Sequence, residues 1–226
     1  MAVPNADLNA VALPERLGFV EAAALGCRFM TAWAALRVHA DVRAGEWVAV
    51  HGCGGVGLSA VMIASALGAS VVAVDLDDSK LERARSLGAA AVVHAEREDP
   101  VAAITSVTGG GAHVSMDALG SAATCAASVR SLRRRGRHVQ VGLLLADERS
   151  VAVPMDRVIS YELALLGVHG MAVRHYDDLL RAVAAGTLDP GRLVGRRISL
   201  DEAGAELAAM GEFASHGVTV IDRGFA

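Results

Sequence analysis

Val48-Ala49-Val50-His51-Gly52-Cys53-Gly54-Gly55-Val56-Gly57 is the stretch that decides the fold. Trp47 to His51 is a short apolar run with a high β propensity, and Val56 to Leu67 is apolar at helical length. A GxGxxG turn between a strand and a helix is the context that a dinucleotide fingerprint requires. In that context Gly52 permits the tight turn, Gly54 lets the backbone approach a pyrophosphate, and Gly57 lets the helix pack close to the strand. The phosphate would then sit on the unbonded N–H groups at the positive end of the helix. The second half of the fingerprint is Asp75, which ends the next apolar run (Val71 to Asp75), 18 residues after Gly57. A carboxylate there accepts hydrogen bonds from the ribose hydroxyls of NAD and repels the additional phosphate of NADP. No arginine follows immediately to receive that phosphate, so NAD is expected in preference to NADP.

Outward from this turn, strand and helix patterns alternate. Further strands are expected at Ala91–His94, His113–Ala118, Arg137–Val141 and Leu163–Gly167. Helices are expected at Ser79–Leu87, capped by Ser79, at Pro100–Thr108, and at Ala122–Arg135, ended by Gly136. This rhythm predicts an α/β fold, a Rossmann doubly wound parallel sheet flanked by helices. Residues 47–74 carry no formal charge. Five glycines interrupt that run, so two buried parallel strands around a buried helix explain it better than a membrane span. The ends break the rhythm. Phe19 to Ala40 reads as one broken helix; after Gly170 come a helix near His175–Ala185, a turn at Asp189-Pro190-Gly191, a helix over Asp201–Met210 and a strand over Val218–Ile221.

Composition narrows the function. The net charge of −4 leaves no electrostatic footprint for nucleic acid or an anionic membrane, and neither is expected as a partner. The cluster Arg130, Arg133, Arg134, Arg135 and Arg137 is expected to be a solvated helix end. Cys27, Cys53 and Cys125 form no CxxC pair, which suits a reducing cytoplasm. The first eight residues show no signal-peptide pattern. Asp77, Asp78 and Asp201 are read as charges or caps at helix starts.

Ala-Ala-Ala-Leu-Gly-Cys-Arg-Phe-Met-Thr-Ala-Trp (22–33), Val-Arg-Ala-Gly-Glu-Trp (42–47) and the glycine turn together resemble the zinc-dependent alcohol dehydrogenases of the medium-chain dehydrogenase/reductase family. Val-Asp-Leu-Asp-Asp-Ser-Lys-Leu-Glu-Arg-Ala-Arg-Ser-Leu-Gly-Ala (74–89), Gly-Arg-His-Val-Gln-Val-Gly (136–142) and Leu-Leu-Gly-Val-His-Gly-Met (165–171) continue the resemblance in family order. It implies hydride transfer between an alcohol or aldehyde and NAD. Residues 1–28 would be a remnant of a GroES-like catalytic domain, 29–168 the NAD-binding Rossmann domain, and 169–226 the segment returning to the catalytic domain.

The resemblance also implies roles. Cys27 matches a catalytic zinc ligand and Thr31 a residue on the nicotinamide side. Gly54, Gly55 and Val56 match the pyrophosphate turn, and Lys80 a residue near the adenosine ribose. Val141, Gly142 and Val168 match backbone positions of the nicotinamide pocket, with His169 beside them. The remaining zinc ligands and proton-relay residues of the family have no match, so no catalytic residue is assigned. A catalytic zinc needs three protein ligands and an open position, and zinc is expected of the full-length family enzyme rather than of this chain. Such a chain would expose apolar surface near Phe19 and along Val218–Ile221. The resemblance allows a homo-oligomer. The alternatives are a non-catalytic NAD-binding module and, from the glycine turn and strand-end acid alone, a methyltransferase, which the flanking segments disfavour.

Overall fold

The computed structural model describes residues 2–209 and 217–223. Helices α1 (Ala6–Asn9), α2 (Phe19–Ala24) and α3 (Cys27–Trp33) come first, and α3 runs on into a π-helical turn, Ala34–His39. Strands and helices then alternate: β1 (Trp47–His51), α4 (Gly55–Ala66), β2 (Ser70–Asp75), α5 (Asp78–Ser86), β3 (Ala91–His94), α6 (Pro100–Thr108), β4 (Ala112–Asp117), α7 (Ala122–Arg130), β5 (Leu132–Gln140), α8 (Met155–Tyr161) and β6 (Ala164–Gly167). The last elements are α9 (Tyr176–Ala184), β7 (Val194–Ser199), α10 (Ala203–Ala209) and β8 (Val218–Arg223).

The chain divides into two compact units, Met1–Met30 with Gly170–Ala226, and Thr31–His169. The second holds a six-stranded sheet in the order β3-β2-β1-β4-β5-β6, and every neighbouring pair is parallel. This is the doubly wound Rossmann sheet expected from the sequence. Its central strands are buried apolar runs, because helices cover both faces. On one side Ala49, Val72, Val74, Val93, Ile104 and Ala112 close a core that joins β1 to β4 and α6.

Local chemistry sets the helix starts. The Asp77 carboxylate, rather than Ser79, caps α5, accepting the N–H groups of Ser79 and Lys80. Asp99 accepts the Val101 N–H ahead of Pro100, and Gly109 ends α6 at φ 65°. Ser121 and Thr124 cap α7 reciprocally.

The sequence expectation fails after α7. The helix stops at Arg130, and β5 begins at Leu132 instead of Arg137. Ala112 pairs with Leu132 and Val114 with Arg137, so residues 133–136 bulge out opposite His113 alone. Gly136 therefore serves the bulge, where a Cβ would stand 2.9 Å from Leu132 Cβ. Of the five arginines only Arg130 ends the helix, and the other four lie on β5. Arg137 pairs with Glu46 at 2.6 Å, Arg135 with Glu162 at 2.9 Å, and Arg134 and Arg157 lie over the Tyr161 ring.

In the other unit β7, which the sequence reading missed, pairs in parallel with β8. Helix α2 packs on β8 and on the turn Pro190–Leu193. The helix expected over 201–210 begins at Ala203, and Met210 lies outside the described residues. Phe19 is exposed as expected, and along the strand Val218–Ile221 the residue Ile221 is exposed while Val220 is buried. No helix among the described residues is long and apolar enough to cross a membrane.

Ile104 has no exposed surface. Ile104→Ala should lower stability by about 2–5 kcal/mol, read as a drop in the urea midpoint with an unchanged slope.

Candidate functional site

The carboxyl ends of the six strands lie in one row. Paired residues run from His94 to Asp75, from Val74 to His51, and on through Asp117 and Gln140 to Gly167. The strand order reverses between β1 and β4, and an open α/β sheet binds its ligand in the crevice at such a point.

The glycine turn stands at the end of β1. A Cβ on Gly57 would lie 1.8 Å from the Gly52 carbonyl oxygen, so only glycine lets α4 seat this close to the turn. At Gly54 the opposite holds: a Cβ would meet nothing within 4 Å, and the space beside this residue is open. Gly54 is also the N-cap of α4 and offers no side chain to the helix. The N–H groups of the first turn, which include those of Gly55, Val56 and Gly57, thus have no side-chain cap. They form a place for an anion, strengthened by the helix dipole.

Asp75 does more than face the crevice. Its Oδ2 accepts the Cys53 N–H at 2.6 Å, while Oδ1 accepts the N–H groups of Leu76 (2.8 Å) and Asp77 (3.1 Å). The strand-end carboxylate therefore holds the glycine turn in shape. The Cys53 thiol is buried beside it, and burial first, then the Asp75 charge, push its pKa up. It stays a protonated, inert thiol.

The sheet brings four of the other sequence-predicted positions to the same row. Val141 and Gly142 follow β5, and their N–H groups both reach the main-chain oxygen of Asp117. Val168, buried, and His169, exposed, follow β6, and the Val168 N–H bonds to the Gln140 oxygen. Lys80 lies in the first turn of α5, just past Asp75. Thr31 is buried on α3. Cys27, exposed at the start of α3, belongs to the other compact unit. Among the described residues no group of three or more His, Cys, Asp or Glu side chains could hold a metal ion, so they do not fit the three-ligand requirement of a catalytic zinc.

Sequence reasoning missed Asp117 and Gln140, which stand in the middle of the row. Asp117 had a readable signal, since it ends an apolar strand just before Ala-Leu-Gly, much as Asp75 ends β2. Gln140 had none. Beside them is His51, which is buried and whose Nε2 has no partner. Burial lowers its pKa to about 4; the Asp117 charge opposes this, and His138 adds to it.

A family model described as zinc-binding dehydrogenase matches residues 55–185. An alcohol dehydrogenase of Geobacillus stearothermophilus is 43% identical over 176 residues, which are 78% of this chain and 51% of that protein. One from Moraxella sp. (strain TAE123) is 31% identical over 88% of the chain and 50% of its own length. The chain thus spans about half the length of these curated relatives. Among solved structures, an alcohol dehydrogenase from Thermus sp. ATN1 superposes with a TM-score of 0.90 at 31% identity, over 98% of this chain and 64% of that one. Benzyl alcohol dehydrogenase from Acinetobacter calcoaceticus gives 0.87 at 26% identity, over 96% and 60%.

His51 makes stability depend on pH. An unfolded imidazole takes its proton near pH 6.5, whereas folded His51 resists until about 4. Between these values the unfolded state binds more protons. The contribution is therefore whole above about pH 6.5 and is lost as the pH falls toward 4, a loss of about 3 kcal/mol. His51→Gln should shrink the loss of urea stability between pH 7 and pH 4.5. Equal losses in both proteins would refute this assignment.

Proposed function

The chain belongs to the zinc-binding dehydrogenase family, and from that premise we propose that Thr31–His169 binds NAD as the cofactor half of an alcohol dehydrogenase-type oxidoreductase. The observation that carries this reading is the uncapped start of α4 under an open Gly54, with Asp75 at the next strand end. The N–H groups of Gly55, Val56 and Gly57 would receive the pyrophosphate. Bound NAD supplies the hydride acceptor for an alcohol, or as NADH the donor for an aldehyde. Val141, Gly142, Val168 and His169, with Thr31, would face the nicotinamide, and Lys80 the adenosine ribose.

Asp75 supports NAD over NADP. An ionised carboxylate has about four acceptor positions, and backbone N–H groups take three of those on Asp75. The one left suits a ribose hydroxyl, while the negative charge opposes a 2′-phosphate.

We read residues 1–28 and 169–226 as parts of a GroES-like catalytic domain, an alcohol or aldehyde as the substrate, and the cytoplasm as the place of action. The absence of disulfides at all three cysteines accords with that compartment. The family's pairing habit makes a homo-oligomer part of the proposal. A second reading, a non-catalytic NAD-binding module, draws on the lack of a three-ligand metal group among the described residues.

In a fluorescence titration the chain should bind NADH more tightly than NADPH, and Asp75→Ser should narrow or reverse that preference. A wild-type preference for NADPH would remove Asp75 from its role. Gly54→Val should abolish NADH binding while the circular dichroism and melting curve stay those of the wild type, because the new side chain enters open space. A folded Gly54→Val that keeps its affinity would sink the phosphate-turn argument.

A further inference from the structure

A file of hydrogen bonds is buried between β4, β5 and α7. Ser115 Oγ meets Ser128 Oγ at 2.6 Å, Ser128 Oγ meets His138 Nδ1 at 2.9 Å, and His138 Nε2 meets Gln140 Oε1 at 3.2 Å. Gln140 Nε2 then donates to Asp117 Oδ2 at 2.9 Å and to the Gly142 carbonyl at 2.8 Å. Asp117 has no exposed surface. Its Oδ1 accepts the N–H groups of Leu119 and Gly120, both at 2.9 Å, and its Oδ2 also accepts the Thr124 hydroxyl at 3.1 Å.

These bonds tie two loops together. Leu119 and Gly120 follow β4, and Gly142 follows β5. The loops touch so closely that a Cβ on Gly142 would lie 2.2 Å from the Gly120 nitrogen. Both are held to one buried carboxylate, directly or through Gln140.

The file also has a fixed direction. A carboxylate and a carbonyl only accept, so the Gln140 atom between them is the nitrogen. Its oxygen therefore faces His138, whose Nε2 must carry the proton. The Nδ1 of a neutral ring then accepts from Ser128. Burial lowers the His138 pKa and favours that neutral form.

A dinucleotide lies across the switch point with one mononucleotide half on each side. Asp75 and Lys80 mark the β2 side for the adenosine. The loops after β4 and β5 are on the opposite side.

We infer that Asp117 and Gln140 are positioning residues for the nicotinamide half of the cofactor, acting by locking the loops 118–120 and 141–143 to one another. This rests on the reading above that NAD occupies the crevice. Asp117→Asn leaves an amide where two donors need acceptors. Gln140→Leu keeps the volume and removes all three side-chain bonds, to His138, Asp117 and Gly142. Each variant loosens the loops, of which Leu119 abuts Gly52, but leaves the start of α4 at Gly54–Gly57 unaltered, so it should weaken NADH while sparing ADP-ribose, which lacks the nicotinamide.

The test is calorimetric titration of wild type, Asp117→Asn and Gln140→Leu with NADH and with ADP-ribose. The expected result is an NADH affinity lower by about tenfold, the scale of one charge-assisted bond, with ADP-ribose unchanged. If Asp117→Asn does not fold, Gln140→Leu, which leaves the other bonds to Asp117 in place, decides alone. Equal weakening of both ligands, or of neither, overturns the inference, because a merely structural role does not separate them. Wild type binding neither ligand overturns it together with the NAD reading. Nitrogen NMR of His138 in the ligand-free protein gives a separate readout. A protonated Nε2 and bare Nδ1 are expected; the reverse means the Gln140 amide is turned over, which overturns the inference whatever the titrations show.

Discussion

The approach of α4 to the turn after β1 is the constraint on which the rest depends. With no side chain at Gly57, the helix comes within contact of the Gly52 carbonyl. Gly57 to Ala64 are then buried as α4 lies along the sheet. Any Cβ at position 57 would lift the helix start, and two things would go with it. The first-turn N–H groups would leave the crevice, and the Cys53 N–H would lose its geometry to Asp75. A packing contact between helix and strand therefore sets both the electrostatics of the anion place and the register of the acid beside it.

Much of this is legible in the sequence itself. The run from Val48 to Gly57, followed by an acid at the end of an apolar strand, is a local pattern whose every residue has a steric or electrostatic reason. All six strands of the main sheet followed from alternating apolar runs. The misreadings arose where non-local pairing overrides local signals. Gly136 has the chemistry of a helix stop, yet the pairing of β4 with β5 turns residues 133–136 into a bulge. Strand β7 carries two arginines at its centre and has no apolar run; its partner β8 lies far along the chain. Ser79 is a sound cap by residue type, but Asp77 stands in the extended conformation that lets a cap accept from the next turn.

The buried polar file was the least legible part. Ser115, Ser128, Ser131, His138 and Asp117 sit within segments that read as ordinary strand or helix, and all are buried. Each would be costly alone, since an unpaired buried polar group loses its water without compensation. Together they satisfy one another, from Ser131 through Ser115, Ser128, His138 and Gln140 to Asp117. A network of this kind fixes one arrangement of the loops it reaches, because a slipped loop strands several donors at once. His51 is the exception in the same neighbourhood, with a buried Nε2 that lacks a partner and a ring held neutral by burial.

The two strand-end carboxylates show how one device serves two purposes. Asp75 and Asp117 each close a parallel strand, and each accepts backbone N–H groups from the loop that follows it. Asp117 has four donors, two N–H groups, the Thr124 hydroxyl and the Gln140 amide, which fill its acceptor positions. It is wholly buried and saturated, so nothing remains for a ligand, and its effect on the crevice passes through the loops it binds. Asp75 is only partly buried and has three donors. On the reading proposed above, its remaining acceptor position takes a ribose hydroxyl. Burial and donor count together thus separate the acid that shapes the crevice from the acid that can take part in recognition there. Sequence alone treats the two as the same residue at the end of the same kind of strand.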